Sequence, residues 1–253
     1  MDTPGAPPGG ADGVDVVHVV VPVHDEAALL PACLDALAVA LDHLRRVRPR
    51  TIGRLTVVLD ACTDQSAAIC RRRGVDVVAV RSANVGAARA AGTRRVRVLA
   101  ADDGVVPRHT WVACTDADSR VPSDWLVDQV RVAEAGADVV LGRVEPDDTA
   151  PADVVARWDS LHQDRCVRTY GAHLGFRLSA YDAVGGFAHL REHEDADLVR
   201  RLLADGARLG AATRAVVTSS RLEGRTPGGF SGFLTTLRPS AETAHARAVR
   251  PGT

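Results

Sequence analysis

The sequence predicts an α/β domain with a mostly parallel sheet flanked by helices. Three observations carry that expectation. Strand-like and helix-like segments alternate from residue 14 to residue 144, the pattern of parallel strands joined by right-handed crossovers. The first apolar run, VDVVHVVVPV (14–23), is β-branched and continuous, as in a strand covered on both faces. Polar and charged residues collect directly after successive strands, where open α/β sheets bind ligands.

The elements follow in order. After the first strand, Leu30, Leu34, Leu37, Leu41 and Leu44 recur every three or four residues, which predicts a helix. Pro31 falls in its first turn, where proline is tolerated. RLTVVLD (54–60) reads as the second strand and residues 64–73 as a second helix stopping at Gly74. VDVVAV (75–80) is a third strand, 86–100 an Ala- and Arg-rich helix, and TWVACTD (110–116) a fourth strand. A helix from near Ser123 to Gly136 precedes a fifth strand, ADVVLGRV (137–144). Beyond residue 150 the rhythm changes. A helix is expected at 151–169, a turn-rich stretch through VGGF (184–187), a helix at 194–205 with Leu198 and Leu202 on one face, and a last strand at 212–220.

Composition narrows the function. The formal net charge is -1, which argues against a general nucleic-acid binder with its basic patch. The chain has no Lys, so Arg supplies every permanent positive side chain. Cys33, Cys62, Cys70, Cys114 and Cys166 are scattered and form no C-x-x-C pair, as expected of reduced thiols in a cytoplasmic protein. Residues 1–14 lack the basic and apolar regions of a signal peptide and read as a disordered start. Residues 15–220 form the folded domain, and 221–253 a loop and tail. No apolar run is of bilayer length, and the GFSGFLTTL stretch is short for a lipid-surface contact.

Four strand ends carry the chemistry: HDE (24–26), DACTD (60–64), RSAN (81–84) and TDAD (115–118). Asp116 and Asp118, one residue apart, repel each other unless a cation lies between them and a polyanion. Mg²⁺ or Mn²⁺ is typically held by one or two carboxylates plus substrate phosphates. The small Ala117 between them allows close approach. A second acidic group, EHEDADLVRR (192–201), opens a helix. Its acids suit the helix dipole, and a carboxylate at a helix start beside a pocket can serve as a general base. Arg221 and Arg225 lie in a Gly-rich loop; Arg forks suit diphosphate oxygens, and a solvated loop explains them equally. Trp158 and His162 are four apart and could face an acceptor, though core packing suits Trp158 better.

These blocks resemble the family 2 glycosyltransferases of GT-A fold over roughly residues 15 to 220. VVVPVHDEAALLPACLDAL is similar to that family's first strand, P-x-x-N-E turn and first helix, with Asp25 in the Asn place. VVLDACTDQS resembles its second-strand block, NVGAARAAG its Gly-rich helix start with Arg89, and TDAD its D-x-D. GFRLSAYDAVGGF and HEDADLVRRL resemble its acceptor-side segment. The resemblance implies a Rossmann-like single domain and a hexosyltransferase using a nucleoside-diphosphate sugar, UDP being the commonest carrier, with an unknown acceptor. It implies that Pro22, His24, Glu26 and Asp60 line the nucleobase and ribose pocket, with Arg89 and Ala117 also on the donor side. By the same resemblance Asp116 lies beside ribose and metal, Asp118 holds Mg²⁺ or Mn²⁺ on the diphosphate, and Asp195 deprotonates the acceptor hydroxyl, usually with inversion. Glu194 falls on the acceptor side. Leu59, Cys62, Ala90 and His24 depart from the family's usual Asp, Ser, Asn and Tyr.

Rival readings lack their signatures. A dinucleotide oxidoreductase should show G-x-G-x-x-G after the first strand, where this chain has PVHDE. A sugar-phosphate nucleotidyltransferase should carry a glycine-rich first loop. A non-catalytic nucleotide-sugar binder or assembly partner of the same fold is the alternative from another class; retention of Asp116, Asp118 and Asp195 together argues against it.

Overall fold

The structure, a computed structural model, describes residues 13–161 and 169–221. Of these, 13–145 and 169–218 form one compact unit, and 146–161 and 219–221 belong to a second.

The larger unit is built on its first strand. β1 (Val16–Val23) pairs in parallel with β2 (Ile52–Asp60) on one side and β4 (Thr110–Cys114) on the other, and β2 pairs in parallel with β3 (Asp76–Val80). Its side chains are buried on both faces, Pro22 alone being half-buried. Val17, Val19, Val21 and Val23 enter one apolar cluster and Val20 the other, which is the two-residue alternation of a strand.

α1 (Leu30–Val47) covers the first face with Leu30, Leu34, Leu37 and Leu44, and carries Arg45 and Arg46 in its last turn, where cations suit the dipole. α2 (Ser66–Arg73) ends at Gly74, whose left-handed φ of 64° is open to glycine without strain. α3 (Val85–Asp102) covers the opposite face. Asn84 caps it by accepting a 2.8 Å bond from the Ala87 N–H. α3 lies so near the sheet that an added Cβ at Gly92 would collide with Val20. α4 (Trp125–Glu134) buries Trp125, Leu126, Val130 and Ala133 on the α1 side.

The later chain completes the sheet. β7 (Leu174–Arg177) adds antiparallel to β4, and β6 (Val139–Pro146) antiparallel to β7, so β6 runs in the same sense as β4. The full order is β3-β2-β1-β4-β7-β6-β8-β5, with the two-residue β5 (Ser119–Arg120) antiparallel to β8 (Leu209–Thr218). α6 (Leu178–Ala183) and α7 (Glu194–Ala204) pack on the α3 side, where Phe176, Tyr181 and Phe187 form an aromatic group with centroids 4.9 to 5.9 Å apart. β5, β7 and α6 have no counterpart among the expected elements.

In the second unit α5 (Ala152–Leu161) buries Val154 and Trp158, so Trp158 is closed to solvent, as core packing requires. The expected continuation of this helix to residue 169, and His162 with it, lies outside the described residues. Cys33, Cys62, Cys70 and Cys114 are free thiols. Among the described residues no helix is long and apolar enough to cross a membrane.

Candidate active site

β1, β2, β3 and β4 run in parallel, so their carboxyl ends open on one edge of the sheet. There the acids mostly organise the chain. Asp60, 3% exposed, accepts three backbone N–H bonds: from Ser82 (2.6 Å) and Ala83 (2.9 Å) on one oxygen and from Asn84 (2.8 Å) on the other. The loop between β3 and α3 is thus folded around the end of β2. Asn84 extends this link, donating its side-chain amide to the Leu190 carbonyl at 2.7 Å.

The turn after β1 is stapled in the same way. Asp25 accepts from the Thr63 and Asp64 N–H groups at 2.6 and 3.0 Å, and these bonds hold its carboxyl below the usual range. Asp64 accepts from Ala27 N–H and Ser66 N–H. Asp25, Cys62 and Asp64 bring potential metal ligands within 4.8 Å of one another. Both acids are already committed to backbone donors, so the group closes turns. Glu26 is buried, and its own N–H donates to Ser66 Oγ at 3.1 Å. His24 is exposed and its Nδ1 lies 2.7 Å from the Asp60 carbonyl. A carbonyl only accepts, so Nδ1 bears the proton in this bond.

The D-x-D turn follows β4. Asp116 keeps 35% of its side chain exposed, while Ala117 packs into the core with α1. Asp118 Oδ1 lies 3.3 Å from the Thr218 hydroxyl, which fixes the side chain against β8. Cys33 on α1 donates its thiol to the Asp116 carbonyl at 3.4 Å; burial pushes that thiol's pKa up, so it stays protonated.

Arg89 joins this turn to α7. Its side chain is 4% exposed and donates through Nη2 to Asp116 Oδ1 (2.5 Å) and through Nη1 to Glu194 Oε1. Burial opposes the Arg89 charge, but the carboxylates of Asp116, Glu194 and Asp195 outweigh it and hold its pKa above the ordinary value. Glu194 is equally buried, and that burial raises its pKa against the pull of Arg89. Asp195, half-buried, takes its hydrogen bond from Ala196 N–H at 2.7 Å.

Residues 18–192 match the sequence profile of glycosyl transferase family 2. The chain belongs to that family. No curated protein sequence matches it. Several solved structures share its fold. Staphylococcus aureus TarS 1-349 superposes with a TM-score of 0.59 at 15% identity, covering 81% of this chain and 61% of that one. The Pyrobaculum calidifontis mannosyltransferase PcManGT, in complex with GDP-Man and Mn²⁺, gives 0.54 at 20% identity over 94% and 65%. Glucosyl-3-phosphoglycerate synthase from Mycobacterium tuberculosis, with Mn²⁺, UDP and phosphoglyceric acid, gives 0.57 at 16% identity over 97% and 82%. The chain thus spans less than two thirds of TarS 1-349 and of PcManGT. At these identities the likeness speaks to the GT-A fold.

In this family 2 chain, Pro22, His24, Glu26 and Asp60 gather at the ends of β1 and β2, and Asp116, Ala117 and Asp118 at the end of β4. Arg89 brings Asp116 together with Glu194, whose neighbour is Asp195. Arg221 lies in the second unit, and Arg225 outside the described residues. Sequence reasoning missed the bridging role of Arg89. Its signal was there: Arg89, Thr93, Val96 and Ala100 form one buried helical stripe, with the cation occupying a core position.

Proposed function

We propose that the chain transfers a hexose from a nucleoside-diphosphate sugar, UDP being the favoured carrier, to an acceptor hydroxyl in the cytoplasm. One observation carries the reading: Arg89 draws the D-x-D of β4 and the acid pair of α7 together from segments nearly 80 residues apart. Family membership and the Mn²⁺, UDP and GDP-Man complexes of fold relatives support it. Asp116 and Asp118 offer the all-oxygen donors that suit Mg²⁺ or Mn²⁺, and they would hold the cation. When bound, the cation supplies charge stabilisation to a departing diphosphate. Pro22, His24, Glu26 and Asp60 border the nucleoside, and Asp195 takes the acceptor proton as a single in-line displacement inverts the anomeric carbon.

Calorimetry with UDP-glucose and GDP-mannose, with Mn²⁺ or with EDTA, tests the reading. Binding is expected only with metal, and equal affinity under both conditions would overturn metal-bridged donor binding. Release of UDP or GDP from the bound sugar separates a transferase from a mere binder.

Asp60 gives a further expected result. Asp60→Ala frees the N–H groups of residues 82–84, so affinity for the nucleotide alone should fall on the order of tenfold, about 1.4 kcal/mol. If the variant binds UDP, GDP and dTDP all as tightly as the parent, Asp60 does not shape the nucleoside pocket.

A further inference from the structure

α7 begins without a side-chain cap. The residue before it, His193, is left-handed at φ 61° and its side chain makes no capping bond. The start of the helix is instead tied down by its first side chain, Glu194, which reaches inward to Arg89. The contact is tightly fitted on two sides. An added Cβ at Gly86 would come 2.9 Å from Glu194 Cγ, and one at Gly171 would strike the guanidinium. Arg89 in turn grips Asp116, at the end of β4. Among the described residues Asp195 has no comparable tether, since its hydrogen bond comes from its own helix. Its direction is therefore inherited from the residue before it, about 100° away around the helix.

We propose that Glu194 is a positioning residue: through the Arg89 bridge to Asp116 it fixes the first turn of α7, and so the Asp195 carboxylate, relative to the donor end of β4. The proposal rests on the reading of Asp195 as the base. A buried ion pair is a poor source of stability, whereas a base displaced by about 1 Å can lose on the order of a hundredfold in rate.

Glu194→Ala, Glu194→Gln and the parent are compared by donor calorimetry, by turnover of UDP-glucose or GDP-mannose with water as acceptor, and by amide hydrogen exchange. Glu194→Ala should lower kcat at least tenfold, leave donor Kd within about twofold, and speed exchange at residues 194–198 and 115–120 together. Glu194→Gln still offers an oxygen to Arg89 Nη1 and should restore most of the lost turnover and the protection. Wild-type turnover in the Ala variant, equal impairment of Ala and Gln, or faster exchange in α7 alone would each overturn the proposal. Should the Ala variant not fold, Gln decides: loss of turnover with α7 still protected would assign the effect to charge and refute positioning. If the parent turns over no donor, the transferase reading fails, while exchange still decides whether Glu194 anchors α7 to β4.

Discussion

Asp195→Asn is expected to cut turnover at least a hundredfold while donor affinity stays nearly unchanged. A sugar hydroxyl is a poor nucleophile until its proton leaves during attack, and general-base help is typically worth about 10²–10⁴ in rate. Two adjacent acids open α7, and the structure separates their situations. Glu194 is buried and engaged with Arg89, so its lone pairs are turned into the protein. Among the described residues Asp195 is half-buried and takes its hydrogen bond from within its own helix turn, so on the proposed reading its carboxylate is the one that meets an acceptor. Asparagine keeps the shape and can still accept from Ala196 N–H, yet it has no basicity. The loss should therefore fall on kcat, with the donor Kd from calorimetry as control. Turnover within tenfold of the parent would remove Asp195 from the role and leave the base to another carboxylate.

The parallel half of the fold was legible because its signals are local. Each of β1, β2, β3 and β4 is an apolar run closed by polar residues, and the helix after β1 shows its leucine period. The antiparallel half was not. LGFR of β7 is four residues long and leads straight into α6 with no turn between, so neither element announces itself. Nor can a strand near residue 175 declare that its partner is β4, some 60 residues earlier. The site divides the same way. Asp116 and Asp118 stood out in the sequence because two acids after a buried strand need a reason. The place of Asp60 at a strand end was legible, whereas its three bonds to residues 82–84 depend on how β3 sits beside β2. Arg89 shares the spacing of the buried face of α3, but its partners Asp116 and Glu194 depend on how α3, β4 and α7 pack together.

Arg89→Met should destabilise the protein by about 3–5 kcal/mol at neutral pH, the usual result of removing one partner of a buried pair. The substitution leaves Glu194 buried without a cation and Asp116 beside it. The pH dependence follows from Glu194. Its folded pKa is already raised by burial, and loss of the Arg89 attraction raises it further. A raised carboxyl pKa stabilises the folded state below the unfolded pKa, and that contribution disappears as pH rises through the folded value. The deficit should therefore be largest at neutral pH and shrink on acidification as Glu194 takes up a proton. Urea unfolding of parent and variant across that range measures it through the shift in midpoint. The double variant Arg89→Met/Glu194→Leu checks the cause. Replacing a buried ion pair by apolar side chains is often neutral or stabilising, so much of the lost stability should return. Turnover should not, because the tie from β4 to Asp195 is then gone. A double variant as unstable as the single one would show that the cost of losing Arg89 lies in packing against Gly171 and Asp116, with the uncompensated Glu194 charge a minor part.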